Sequence, residues 1–309
     1  MSVEDELAKF TPEKDAALTI GVFDGVHLGH KQLISELTRQ ARQKKLLSGV
    51  VTFRQHPEGI INAGKKLPLL TDMPTRIKLL KDEDVDFVVP LTFSSELAEI
   101  DARSFITMLQ KYLKMRAMVI GPDFALGKNR QGNIEMLTKL GKETGFSVTV
   151  VPPLVLNGEV VSSTAIRQAL ANGDMEKYHQ MTGHYFSLRG KVVTGAGRGG
   201  GLGFPTANLD VSKGHAIPGD GVYCGLAYIN GKAYQTMTNV GENPTFGDNE
   251  RTIESFLIDY KGDLYGHALS VDFISKLRDE KKFNNIDELK KQVASDVKLG
   301  KEILCKSIN

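Results

Sequence analysis

Gly21-Val22-Phe23-Asp24-Gly25-Val26-His27-Leu28-Gly29-His30 is the stretch on which the fold of this 309-residue chain turns. It grows out of an apolar run, Ala17–Phe23, that reads as a short buried strand. It leads into Leu33, Ile34, Leu37 and Ala41, which recur at helical spacing. The decapeptide therefore occupies a strand-to-helix turn. Glycines let a backbone approach a phosphate, a helix N-terminus attracts negative charge, and imidazoles can donate hydrogen bonds to phosphate oxygens. A reaction that needs only charge stabilisation on phosphorus, and no base or nucleophile from the protein, suits this equipment; nucleotidyl transfer is one. Two of the chain's 7 histidines, spaced by Leu28-Gly29 at a helix start, favour this reading over a pair of ordinary loop residues.

Outward from this turn, strand-like and helix-like segments alternate. Gly49–Phe53, Phe87–Val89, Ala117–Ile120 and Ser147–Val151 read as further strands. Between them lie helical patterns: one after Thr71 through Ile77 and Leu80, one over Ala102–Leu113, and one marked by Ile134, Leu137 and Leu140. Such alternation predicts an α/β domain with a Rossmann-like, largely parallel sheet. Two short helices, around Ala165–Leu170 and Met175–Met181, close this half. From about Gly183 the segments become short, β-rich and glycine-punctuated: Ser187–Val193, Gly221–Ile229, Lys232–Asn239, Thr252–Tyr260 and Leu269–Ile274. They predict an antiparallel β-barrel or sandwich. A C-terminal helix follows, with Asn285 and Glu288 as an approximate capping box and Ile286, Leu289, Val293 and Val297 as its buried stripe. The expected domains are 1–183 and 184–309, in line with a chain of this length.

Composition narrows the function. Lys+Arg minus Asp+Glu is 39 − 37 = +2, too little for a basic stripe that displaces counterions from nucleic acid. The chain has no Trp and 7% aromatics, a poor supply of base-stacking platforms. Two cysteines, Cys224 and Cys305, are too few for a disulfide framework or a zinc site and point to a reducing compartment. No apolar run approaches the roughly 20 residues of a membrane span, and the acidic, polar start Met1 to Phe10 is no signal peptide. The expectation is a cytoplasmic protein with small-molecule partners, without nucleic acid or membrane, as a monomer or weak homo-oligomer.

Several other stretches carry chemistry. Ser162-Ser163-Thr164-Ala165-Ile166-Arg167 sets three hydroxyls at a helix start and an arginine one turn in, a cluster able to hold a polyphosphate or simply to cap a helix. Gly121…Gly127-Lys128-Asn129 follows a strand, yet five residues separate its glycines and Asn129 stands where a P-loop needs Ser or Thr, so it is not one. Gly195-Ala196-Gly197-Arg198-Gly199-Gly200-Gly201-Leu202-Gly203 contains a dinucleotide-like G-x-G-x-x-G, but no helix follows. A cationic glycine loop between strands remains. After it, Pro205-Thr206-Ala207-Asn208 places a hydroxyl and a carboxamide on one side of an extended chain, neutral oxygens that suit Mg2+. Strand alternation puts the carboxylate of Glu254 on one face with Phe256, Ile258 and Tyr260.

The first half resembles the FAD synthetase family, a branch of the HxGH nucleotidyltransferases. The resemblance rests on the decapeptide, on Thr52-Phe53-Arg54-Gln55-His56-Pro57, on Gly121-Pro122-Asp123-Phe124-Ala125-Leu126-Gly127 and on Ser162–Arg167, in that order. Val22, Arg54-Gln55 and Leu126 depart from the usual pattern. The second half resembles riboflavin kinases through the glycine loop with Pro205-Thr206-Ala207-Asn208, through Gly221-Val222-Tyr223, through Asn239–Phe246 and through Glu254, with Phe256 where many members have His. The resemblance implies ATP-dependent phosphorylation of riboflavin to FMN and adenylylation of FMN to FAD, with Mg2+, ATP and the flavins as ligands. In the first half it implies that Gly21, Phe23, Asp24, Gly29, His30, Ser162, Ser163, Thr164 and Arg167 bind ATP. His27, His30 and Arg167 would be catalytic there, and His56, Pro57, Asp123 and Phe124 would face the flavin. In the second half, Gly195, Gly197, Arg198, Gly201, Gly203, Pro205, Thr206 and Asn208 would bind ATP, with Thr206 and Asn208 on the metal. Glu254 would be the general base, and Glu254 and Arg278 would touch the flavin. A chain with one degenerate half, or a flavin-sensing regulator, is the alternative.

Overall fold

The computed structural model describes residues 2–61, 67–194, 204–212, 214–242 and 251–307. Contacts divide the chain into two units, Met1–Ser163 and Thr164–Asn309.

The N-terminal unit follows the order α1 (Val3–Ala8), β1 (Ala16–Ile20), α2 (Leu28–Lys44), β2 (Leu47–Phe53), α3 (Glu58–Ile61), α4 (Met73–Lys81), β3 (Phe87–Leu91) and α5 (Ser95–Glu99). Then come α6 (Ala102–Tyr112), β4 (Met115–Ile120), α7 (Ile134–Thr144), β5 (Ser147–Val150) and a small hairpin, β6 (Val155–Leu156) with β7 (Glu159–Val160). The five long strands pair in parallel in the order β3-β2-β1-β4-β5, the doubly wound arrangement that the alternation predicts. Strands buried on both faces read as continuous apolar runs, and all five residues of β1 are buried. Leu18, Ile20, Val51 and Met118 meet α1, α6 and α7 on one face, through Leu7, Leu109 and Leu137. Ala17, Val50 and Val119 meet α2 and α4 on the other, through Ile34, Leu37 and Leu80. The helix expected after Thr71 is capped instead by Asp72, whose carboxylate accepts from Thr75 N at 2.8 Å. Thr71 is left for the interior of the unit.

The second unit holds α8 (Ser163–Ala171, starting one residue earlier), α9 (Met175–Thr182), β8 (Phe186–Val193), β9 (Thr206–Val211), β10 (Gly221–Ile229), β11 (Lys232–Glu242), β12 (Arg251–Leu257), β13 (Ala268–Arg278) and α10 (Ile286–Ser307). The six strands close into an antiparallel barrel, β10-β11-β12-β9-β8-β13 and back to β10, which removes exposed sheet edges. The packing boundary thus falls at Ser163/Thr164, ahead of the change of texture at Gly183, because α8 and α9 pack on the barrel. Tyr178 of α9, for instance, meets Phe186 edge-on at 5.4 Å.

Two features of the barrel differ from the expected pattern. β12 ends at Leu257, so Tyr260 lies beyond the strand and packs against Tyr234. The buried stripe of α10 is Asp296, Gly300 and Leu304 rather than Ile286, Leu289, Val293 and Val297; Ile286 is exposed. The helix is set on the barrel by an ion pair and a glycine. Arg278 of β13 forks onto Asp296, with Nε 3.0 Å and Nη2 2.9 Å from Oδ2. At Gly300 a Cβ would press on the Met237 and Cys224 side chains. The cap does form: Glu288 N donates to Asn285 Oδ1 at 2.9 Å, and Asn284 N to Glu288 Oε2 at 3.3 Å.

Gly225, at a register shift between β10 and β13, has no room for a side chain: a Cβ there would collide with the carbonyl oxygen of Asp272. Gly225→Ala is expected to destabilise the second unit by about 1–3 kcal/mol through overpacking. Thermal melts followed by circular dichroism check this; an unchanged transition contradicts the tight approach.

Candidate active sites

The sheet order reverses between β1 and β4, so the turns leaving these two strands diverge and open a crevice at their carboxyl ends. A cavity of ≈ 860 Å³ fills it. It is lined by Gly21 and Val22 after β1, by Phe53, His56 and Pro57 after β2, and by Asp123 through Arg130 after β4. The four residues expected to face a flavin, His56, Pro57, Asp123 and Phe124, all line this one space. Ile20, Phe93, Leu97 and Phe105 give it apolar walls, which suits a flat aromatic ring system with few polar edges. Its turns are tied locally: His56 Nδ1 accepts from Glu58 N at 3.3 Å, and Arg130 Nη2 donates to Asp123 O at 2.9 Å.

The histidine turn adjoins this cavity through Gly21 and Val22. Phe23 and Val26 both take positive φ, 50° and 36°, a conformation that a β-branched residue adopts only when its surroundings hold it. His27 caps α2, its Nδ1 accepting from His30 N at 3.3 Å. The two imidazoles stack with centroids 3.5 Å apart and planes 19° from parallel, and Phe23 meets His30 edge-on at 5.0 Å. Gly29 makes this possible: a Cβ there would sit 3.2 Å from the His27 ring and from Val161 O. His30 Nδ1 is buried with no hydrogen-bond partner. A buried N–H without an acceptor is rarer than an unsatisfied lone pair, so the proton of neutral His30 is assigned to Nε2. His27 Nδ1 already accepts a bond, so its neutral ring also carries the proton on Nε2. Burial, then the neighbouring His27, then Arg76 hold the His30 pKa well below its usual 6.5. His30 therefore presents a neutral N–H dipole, stacked on His27, beside the positive end of a 17-residue helix with no acidic residue in its first turn.

Asp24 is buried under the same turn. Its carboxylate accepts from Leu70 N at 2.9 Å, Thr71 N at 3.0 Å and Thr71 Oγ1 at 3.2 Å, and pairs with Arg76 Nη2 at 3.2 Å. With Asp24 1% exposed and Phe23 2% exposed, both build the turn from beneath. Further along, α8 begins at Ser163, so Ser162, Ser163 and Thr164 stand at its start and Arg167 follows one turn later. Oγ of Ser163, the last residue of the first unit, donates to Asp24 O at 3.2 Å.

In the barrel, β9 alternates as expected: Ala207 and Leu209 are buried inside while Thr206 and Asn208 share the other face. Register places Asn208 of β9, Glu254 of β12 and Asn239 of β11 in one row across three strands. Thr206, Phe256 and Met237 form the next row. Thr206 Oγ1 reaches Glu254 Oε2 at 3.5 Å. Thr206, Asn239, Glu254 and Phe256 line a cavity of ≈ 420 Å³ with Arg278 and with Leu289, Val293 and Asp296 of α10. Phe204 stands edge-on to Phe256 at 5.3 Å and forms its apolar wall. Among the described residues no group of three or more His, Cys, Asp or Glu could hold a metal. A divalent cation in this row would rest on hydroxyl, carboxamide and carboxylate oxygens, a donor set that fits Mg2+.

Residues 9–165 match the family model for FAD synthetase, and residues 182–304 match that for riboflavin kinase. The bifunctional riboflavin kinase/FMN adenylyltransferase of Escherichia coli strain K12 is 34% identical over 293 residues, covering 94% of this chain and 93% of that protein. The Bacillus subtilis strain 168 protein of the same description is 32% identical, covering 95% of this chain and 92% of its own. This chain belongs to the bifunctional riboflavin kinase/FMN adenylyltransferase family. A crystal structure described as a macrolide-efflux protein from Streptococcus pneumoniae superposes with a TM-score of 0.87 at 31% identity, covering 94% of this chain and 95% of that one. Efflux is said there of that protein; among the described residues of this chain no helix is long and apolar enough to cross a membrane.

Within the riboflavin kinase half, Gly195, Gly197, Arg198, Gly201 and Gly203 lie outside the described residues, as do Asn243–Phe246. Pro205 is exposed just before β9. Arg278, expected to touch the flavin, lines the pocket, and its guanidinium also holds Asp296 of α10. Strand register adds to the motif Asn239–Phe246 that Asn239 pairs with Glu254. Arg76 is the buried residue that the motifs do not include, yet it left a signal: it falls four residues before Leu80 on the buried face of α4, where a charge needs a partner.

Removing the Asp24 carboxylate leaves a buried guanidinium unpaired, so Asp24→Ala is expected to cost about 3–5 kcal/mol and to unfold the N-terminal unit rather than merely weaken ATP binding. Limited proteolysis distinguishes the two outcomes. His30 gives a second expectation. In the unfolded chain it titrates near 6.5, while the folded ring resists protonation. Below about pH 6.5 the unfolded state binds more protons, so the N-terminal unit loses stability as pH falls through that value. Urea unfolding at a series of pH values reads this slope, and His30→Phe is expected to flatten it.

Proposed function

We propose that this chain makes FMN from riboflavin at the barrel row and FAD from FMN at the histidine turn, consuming one ATP in each step. The observation that carries the reading is that each half keeps its own cavity with suitable polar groups on its rim: Thr206 and Glu254 in one, the strand-end turns beside His27 and His30 in the other.

In the barrel, Glu254 would take the proton from the ribityl 5′-hydroxyl as that oxygen attacks the γ-phosphorus of ATP, and ADP would leave. A carboxylate within reach of the attacking hydroxyl serves as general base, while the rest of the task is positioning. Thr206 and Asn208 would hold Mg2+, whose charge offsets that of the phosphates. Phe204 and Phe256 would pack the flavin ring. In the N-terminal unit, a phosphate oxygen of FMN would attack the α-phosphorus of ATP, and the bond to the bridging oxygen would break to release pyrophosphate. The Nε2–H groups of His27 and His30 donate to the α-phosphate oxygens as charge builds on them, a preorganised stabilisation that needs no proton transfer. The departing pyrophosphate is the expected ligand of Ser162, Ser163, Thr164 and Arg167. His56, Pro57, Asp123 and Phe124 receive the flavin in the ≈ 860 Å³ cavity. The same reading places the protein in the cytoplasm, where ATP and flavins are available.

Incubation of the protein with riboflavin, ATP and Mg2+, followed by chromatography, is expected to show FMN and then FAD. His30→Ala should slow FAD formation by about 10²-fold or more while FMN accumulates. Glu254→Ala should slow FMN formation by about 10²–10⁴-fold while FAD still forms from supplied FMN. If either folded variant lost both activities, the assignment of two separate sites would fail.

A further inference from the structure

Arg76 is the largest fully buried side chain in the described residues, with 0% exposure. An arginine has five N–H donors in a rigid planar fork, and here each has an acceptor. Nε donates to Thr71 Oγ1 at 3.4 Å. Nη1 donates to Val22 O at 3.0 Å and to Phe53 O at 2.9 Å. Nη2 donates to Asp24 Oδ1 at 3.2 Å and to Thr71 O at 3.1 Å. These acceptors belong to three separate segments. Val22 and Asp24 are in the turn that carries the histidines, Phe53 ends β2 just before His56 and Pro57, and Thr71 precedes α4. Val22 and Phe53 themselves line the large cavity. One nitrogen, Nη1, therefore bridges the nucleotide-side turn to the flavin-side turn.

We infer that Arg76 is a positioning residue for adenylyl transfer, fixing the separation between the histidine turn and the exit of β2 so that the attacking phosphate and the imidazole pair are held in register. The inference rests on the reading of the N-terminal cleft given above. A guanidinium is required by geometry. The three donors of a lysine radiate from one point and cannot reach carbonyls of two turns, a carboxylate and a threonine together. Simple stability does not ask for this choice, since a buried ion pair is often replaceable by apolar packing without loss. Arg76 is not among the residues that line the cavity; Val22 and Phe53, whose carbonyls it holds, are.

The test uses the full chain, with riboflavin phosphorylation as an internal control. Arg76→Lys is expected to lower kcat for FMN adenylylation by about 10²-fold, the scale of a misplacement of about 1 Å at a reacting centre. KM for FMN and for ATP should stay within about threefold, and riboflavin phosphorylation should be unchanged. Should R76K fail to fold, Thr71→Val decides: it deletes the oxygen that receives Nε and Gly25 N and should lower the same kcat, with Thr71→Ser restoring it. A wild-type kcat in folded R76K or T71V overturns the inference. So does a rise in KM with kcat intact, and so does unfolding of both variants, which would make the arginine scaffold alone. If the unmodified chain makes FMN but no FAD, it is the reading of the cleft that fails.

Discussion

A carboxylate and a guanidinium meet at 3.2 Å beneath the histidine turn, and neither has meaningful contact with water. Removing two charges from solvent is costly, and their attraction offsets that cost only when the remaining donors and acceptors are satisfied. In this pair they are: Asp24 takes two main-chain N–H groups and a hydroxyl besides Arg76, and Arg76 gives its other donors to carbonyls and Thr71. The consequence reaches the chemistry. A turn with positive φ at Phe23 and Val26 is held open from below, so the groups that face a ligand need not also hold the backbone. The strain of the turn and the order of the imidazoles above it depend on the same buried network.

The imidazoles illustrate why neutrality matters. Two protonated rings stacked at 3.5 Å would repel, and burial penalises the first charge before the second is considered. What remains is a pair of fixed dipoles at the head of α2. Fixed dipoles of this kind need no reorganisation when charge develops beside them, and burial keeps the His30 ring from taking up a proton. The barrel solves the same problem differently. There Glu254 and Asn239, with Thr206 beside them, face a cavity with apolar walls, and Asn208 pairs with Glu254 in the same row. α10 covers that cavity because Arg278 grips Asp296 and because Gly300 lets the helix close on Met237 and Cys224.

Most of the architecture was legible in the amino-acid order. The alternation of apolar strands with helical patterns announces a parallel sheet, and the later run of short, glycine-bounded strands announces an antiparallel barrel, because burial on two faces and on one leave different patterns. The spacing in α10 suggests a buried Ile286, yet Ile286 is exposed and Asp296 is buried against Arg278. Asp24 lies buried on Thr71 and Arg76. Asp296 and Asp24 each pair with a group distant in sequence, and no local pattern records such a partner.

The chain's own order of residues determined the two kinds of domain, the histidine turn at Gly21–His30, the extended Thr206–Asn208 pair and the carboxylate of Glu254, because each is a local matter of spacing and side-chain chemistry. Tertiary structure alone decided that Asn239 joins Glu254 in one row, that His56 and Phe124 share a cavity, and that Arg76 binds three segments together. These depend on strand order, register and the satisfaction of buried charge, and such quantities exist only once separated parts of the chain have come together.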